Sequence, residues 1–195
     1  MRWILVLMSV LACLMPWRGV LAQELSGQAL VDALVARTPG TTLDRMRERP
    51  DAFVQEAAGL ILGYGGPRGL SAADIETAIE AELARLRARE MRRLLEADLN
   101  NDLSVTRAEL DVLVRAASAT MRGRLLVWHR NADDDGDGTV RWAELRSHAD
   151  GRARAGMSES AVAAMRAMMT FDLDGDALVA LDEVLEAVAL LGAPA

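Results

Sequence analysis

The stretch Asp133-Asp134-Asp135-Gly136-Asp137-Gly138-Thr139-Val140-Arg141-Trp142-Ala143-Glu144 decides how this chain is read. Carboxylates stand at its first, third and fifth positions, a glycine at its sixth, and a glutamate closes it at the twelfth. Two other stretches keep the same register: Asp98-Leu99-Asn100-Asn101-Asp102-Leu103-Ser104-Val105-Thr106-Arg107-Ala108-Glu109, and Asp172-Leu173-Asp174-Gly175-Asp176-Ala177-Leu178-Val179-Ala180-Leu181-Asp182-Glu183. Each begins with Asp and ends with Glu. Each has Asp or Asn at positions three and five and Val at position eight. One acidic triplet is weak evidence of anything. Three in register, with a shared apolar position, form an internal repeat.

Outward from the repeats the spacing is helical, and no strand-like alternation of useful length follows residue 22. The expected class is all-α. Residues 23–50 read as a short helical extension. Ser26 can cap a helix with Leu30, Val31, Leu34 and Val35 on one side, and Thr38-Pro39-Gly40 breaks it. Pro50 suits the first turn of a helix reaching about Leu62. A glycine-rich turn spans residues 63–69. Ser71 then caps a long helix, with Ile75, Ile79, Leu83, Leu86, Leu94 and Leu95 near one face, that runs into Asp98.

These residues resemble the EF-hand calcium-binding superfamily, as a calmodulin-like repeat of an exported bacterial type. The three loops cover 36 residues, and with their helices the resemblance covers about residues 80–191. It implies helix-loop-helix units and Ca2+ as the bound ion. Calcium takes six to eight oxygen ligands, which such a loop supplies from positions one, three and five, the position-seven carbonyl and a bidentate Glu at twelve. The middle loop would use Asp133, Asp135, Asp137, the Thr139 carbonyl and Glu144. The last would use Asp172, Asp174, Asp176, the Leu178 carbonyl and Glu183. The first would use Asp98, Asn100, Asp102, the Ser104 carbonyl and Glu109.

The loops are unequal. Position six needs a sharp turn, normally a glycine, and Gly138 meets this where Leu103 and Ala177 do not. A side chain in left-handed backbone costs about 1–2 kcal/mol. Asn100 also removes one charge from the first loop. The expected order of affinity is middle, last, first.

Stepping back from Asp98 by the repeat interval gives a candidate fourth loop at 63–74. It puts Leu70 at position eight and Asp74 at twelve, but Gly63, Gly65 and Pro67 where carboxylates would stand. It reads either as a unit that has lost its metal site or as an ordinary interhelix turn. Such units usually pair through a short antiparallel bridge at position eight, which satisfies backbone groups. Pairing of sequence neighbours is expected. Residues 51–118 (loops 63–74 and 98–109) would form one pair, with Leu70 facing Val105. Residues 119–195 (loops 133–144 and 172–183) would form the other, with Val140 facing Val179.

Residues 1–22 read as a secretory signal: Arg2, an apolar run from Trp3 to Met15 broken by Ser9, and Val20-Leu21-Ala22 before an expected cleavage site. The run is short for a bilayer span. A retained anchor and lipidation at Cys13 are the alternatives. Cleavage would leave no cysteine, which suits an oxidising compartment. The expected location is periplasmic or secreted, with no membrane span after cleavage.

The 195 residues carry a formal charge of −7. Residues 1–22 hold two Arg and no acid, so the remainder has 20 basic and 29 acidic residues, net −9. The three loops hold 13 acids and two arginines, Arg107 and Arg141, net −11. The acidity is therefore concentrated in the loops, and the rest is close to neutral. An acidic chain argues against nucleic acid as a partner. No GxSxG, Walker loop or GxGxxG is present, His129 and His148 are too far apart for an HExxH site, and no enzyme is expected. Both histidines are expected to have a surface or groove role. Met165, Met168 and Met169 read as core filling or as a soft groove for a partner. Two functions follow: a calcium buffer or calcium-stabilised module, or a sensor exposing a Met/Leu groove to a protein or amphipathic helix.

Overall fold

A computed structural model describes residues 27–191. The expectations for the signal segment, cleavage after Ala22, Cys13 and the Ser26 cap fall outside these residues. The described chain is mostly helical: α1 (Gly27–Arg37), α2 (Gly40–Glu48), α3 (Pro50–Tyr64), β1 (Leu70–Ser71), α4 (Ala72–Leu95), β2 (Val105–Thr106), α5 (Arg107–Ala116), α6 (Ala119–Ala132), β3 (Thr139–Val140), α7 (Trp142–Gly156), α8 (Glu159–Arg166), a 3₁₀ turn (Ala167–Phe171), β4 (Leu178–Val179) and α9 (Leu181–Leu191).

Local chemistry sets the boundaries. Pro39 precedes α2, and Pro50 begins α3, where its missing N–H costs nothing. Ser71 and Thr106 form reciprocal capping boxes with Asp74 and Glu109. Ser118 and Ser158 cap α6 and α8. Between residues 72 and 95 there is neither Gly nor Pro, so α4 continues for 24 residues.

The bridges join different partners from those expected. β1 pairs antiparallel with β4, Leu70 opposite Val179, and β2 pairs antiparallel with β3, Val105 opposite Val140. Neither the Leu70–Val105 bridge nor the Val140–Val179 bridge forms. The reason is α4. At 1.5 Å per residue its 24 residues span about 36 Å, which carries loop 98–109 far from loop 63–74. α7 then brings the chain back along α4, where Arg87 pairs with Asp150 and Gly156 packs near Leu86. The result is nested, with the outer loops meeting at one end and the inner loops at the other.

Each end has its own core. The outer core unites Leu34, Met46, Phe53, Ile61, Leu70, Ile75, Phe171, Val179, Val184 and Leu191. Phe53 and Phe171 meet edge to face, with centroids 5.6 Å apart. Met168 is buried there, and Met165 and Met169 pack against it, so the methionines fill core. The inner core unites Leu94, Val105, Leu110, Leu125, Val140 and Leu145. These cores do not follow a division of the chain near residue 118.

Candidate metal centres

The middle loop starts as α6 ends and closes in the first turn of α7. Asp133, Asp135 and Asp137 bring carboxylate oxygens within 4.8 Å of one another. Loop amides orient them: Asp133 Oδ2 accepts from Gly138 N (3.0 Å), Asp135 Oδ1 from Asp137 N (3.0 Å) and Asp137 Oδ1 from Thr139 N (2.8 Å). Glu144 ties the two ends of the loop. Its Oε2 accepts from Arg141 N at 2.8 Å, and its Oε1 from Asp134 N at 2.9 Å. These amides, Arg141 N foremost, hold its carboxyl below the usual range.

Asp133 Oδ1 is buried and accepts no hydrogen bond. A buried carboxylate oxygen without a donor is costly, and three carboxylates this close repel one another. A hard cation with oxygen ligands would relieve both, so the residues present fit such an ion.

The last loop repeats the pattern. Asp172, Asp174 and Asp176 group within the same 4.8 Å. Asp172 accepts from Gly175 N (2.7 Å) and Ala177 N (3.1 Å), Asp174 from Asp176 N (3.0 Å) and Asp176 from Leu178 N (2.8 Å). Glu183 joins Leu173 N (2.7 Å) to Ala180 N (2.8 Å).

The first loop differs at its third position. The Asn100 amide donates to Asp102 Oδ2 (2.8 Å), while Asp98 accepts from Asp102 N (3.1 Å) and Leu103 N (3.0 Å). The Ser104 hydroxyl is the main cause holding the Asp102 carboxyl down. Glu109 bridges Leu99 N (3.2 Å) and Thr106 N (2.9 Å), and the Thr106 amide is the first cause of its lowered pKa. Two carboxylates and an amide make a weaker cation cradle than three carboxylates.

Positions seven of the three loops, Ser104, Thr139 and Leu178, lie in or beside the bridging strands. Loop 63–74 joins α3 to β1 with Gly63, Gly65 and Pro67 where the other loops carry oxygen-bearing side chains, and its one acid, Asp74, serves the capping box of α4. Gly66 and Gly69 exchange backbone hydrogen bonds of 2.9 and 3.2 Å in a tight hairpin. Gly69 has φ of 140°, and a Cβ there would stand 2.8 Å from the Val179 carbonyl oxygen. Only glycine allows β4 this close.

His129 corrects one expectation. It is buried, and its Nε2 meets the Val105 carbonyl at 3.0 Å, which ties α6 to the inner bridge. It is therefore not a surface or groove residue. Helical periodicity places it beside the middle loop but does not reveal a carbonyl 24 residues away. Trp128 carries the Arg93 guanidinium 5.2 Å above its ring, so it senses α4 as well as the loop.

No family model matches the chain, and neither curated proteins nor solved structures include a match to it. Among the described residues, no helix is long and apolar enough to cross a membrane.

Proposed function

We propose that this is an exported calcium-binding protein of EF-hand type, in which the ion stabilises the fold and is buffered by it. The observation that carries this is the convergence of Asp133, Asp135 and Asp137 with a buried Asp133 oxygen that accepts no hydrogen bond. Asp133, Asp135, Asp137, the Thr139 carbonyl and Glu144 would hold one ion. Asp172, Asp174, Asp176, the Leu178 carbonyl and Glu183 would hold a second, and Asp98, Asn100, Asp102, the Ser104 carbonyl and Glu109 a weaker third. Calcium would neutralise the loop carboxylates and fix each exiting helix to its loop. An independent site at about a hundred times its dissociation constant adds about 2.7 kcal/mol to stability.

Buffering or stabilisation is favoured over sensing by α1 and α2. Leu34 and Met46 are fully buried in the outer core against Phe171, Val184 and Leu191, so the chain's own helices fill that face. The sensor reading keeps one supporting observation. Val112, Met121 and Val127 are exposed on α5 and α6 of the inner half, where a protein or amphipathic helix could bind.

The test is calorimetry and tryptophan fluorescence across micromolar to millimolar calcium. Trp128 precedes the middle loop by one helical turn and Trp142 lies within it, so their emission should change, and Glu144→Gln should abolish that change. A flat titration of the unaltered protein removes the proposal. A hydrophobic dye separates the two readings: strong binding only with calcium favours a sensor.

A further inference from the structure

The middle loop carries a charged residue at position nine that its two counterparts lack. Arg141 follows β3, and its side chain turns back over the loop. Nη2 stands 2.6 Å from Asp137 Oδ2 and Nη1 3.5 Å from Asp135 Oδ2. Asp135 and Asp137 have already committed their Oδ1 atoms to the amides of Asp137 and Thr139. The guanidinium therefore lies on the oxygens that the loop itself leaves free. At the same position the first loop has Thr106, whose hydroxyl donates to Glu109 Oε2 at 2.7 Å, and the last has Ala180. Neither can reach across its carboxylates as a cation.

We propose that Arg141 is a tethered competitor for the ion of the middle loop, one that calcium must displace from Asp135 and Asp137 before binding. This rests on the calcium reading above. A guanidinium stays charged at every working pH, so the competition is not removed by ordinary changes of pH. A group on a short tether competes at an effective concentration of about millimolar or more. That is the range in which extracellular calcium modules commonly bind, about 10⁻⁴–10⁻³ M. Displacing this exposed pair thus raises the calcium level at which the most favourably built loop fills, by about two- to fivefold. It also narrows that loop's lead over the last one, whose acids have no such partner at position nine. Half of the Arg141 side chain is exposed, so it can swing into solvent when the ion arrives.

The experiment uses the full secreted chain with Arg141→Gln, Arg141→Thr and Arg141→Lys. Calcium is titrated by Trp128 and Trp142 fluorescence and by calorimetry. Glu144→Gln marks the middle-loop phase and Glu183→Gln the last-loop phase. Gln and Thr should each tighten the middle-loop phase by about two- to fivefold or more, the lower figures being the loss of an exposed ion pair alone. Lys should stay near the parent affinity, and the last-loop phase, which also reports that each variant is folded, should not move. If the parent binds at the middle loop and both neutral variants bind no more tightly, the competitor role is overturned while the calcium reading stands. If neither the parent nor the neutral variants show a phase sensitive to Glu144, both fall together.

Discussion

Leu103 and Ala177 hold φ of 65° and 66°, beside Gly138 at 85°. The repeat register alone places them at position six, and the left-handed turn expected there is present in all three loops. Left-handed backbone costs a side chain about 1–2 kcal/mol, while glycine loses about 0.5–1 kcal/mol through greater freedom in the unfolded chain. Leu103→Gly and Ala177→Gly should therefore each stabilise the protein by up to about 1 kcal/mol, with unchanged or tighter calcium binding. Urea denaturation and calorimetry check this, and a loss of stability in both variants would show that the turn is not strained. Asn101, at φ 57°, needs no such change, because its side chain tolerates this region. At this scale the candidate ligands were legible, because their spacing repeats within twelve residues. The Arg141 contact was not, because a rotamer that folds back over a loop leaves no periodic trace.

α4 decides more than any other element. An uninterrupted helix from Ser71 to Asp98 can be read from the caps and the apolar face. Its length is the reason loops 63–74 and 98–109 cannot meet, so the information was present while the expected pairing ignored it. Pairing has a thermodynamic consequence. Val105 and Val140 are fully buried opposite one another, and Arg107 N donates to the Gly138 carbonyl at 3.0 Å. Glu109→Gln should therefore weaken the Glu144-dependent calcium phase and leave the Glu183-dependent phase unchanged. Equal effects on both would argue against separate coupling within the inner pair. A second prediction concerns acid. The Asp74 carboxyl is lowered chiefly by the Ser71 hydroxyl, and Glu76 by its two-pronged bond to Arg166 at 2.7 and 2.8 Å. A carboxyl lowered in the folded state stabilises above its unfolded value, here about 4, and the benefit is lost as pH falls through the folded value. The urea midpoint should thus fall between pH 5 and pH 2, and less steeply in the Asp74→Asn, Glu76→Gln double variant. Identical slopes would remove these two groups from the acid response.

For the whole molecule, α1 and α2 are part of the core. Leu34 and Met46 are completely buried among residues from both ends of the described chain. Leu34→Ala or Met46→Ala should each cost about 2–5 kcal/mol. The same variants should bind more hydrophobic dye, because the outer apolar face loses its cover; unchanged stability would mean that the face is filled some other way. From residues 23–50 only a helical extension was legible. α1 and its Pro39 break were readable locally, but α9 and the 3₁₀ turn, against which the extension packs besides α3, lie more than a hundred residues away. By itself the sequence determined the helical class, the caps and turns, and the three acidic loops in one register, because each is a matter of near neighbours along the chain. Tertiary structure alone decided which loops pair, that the cores nest rather than follow in order, that His129 is buried, and that α1 and α2 close the outer face. Those outcomes depend on where a helix about 36 Å long delivers its ends, and no local pattern encodes the partner waiting there.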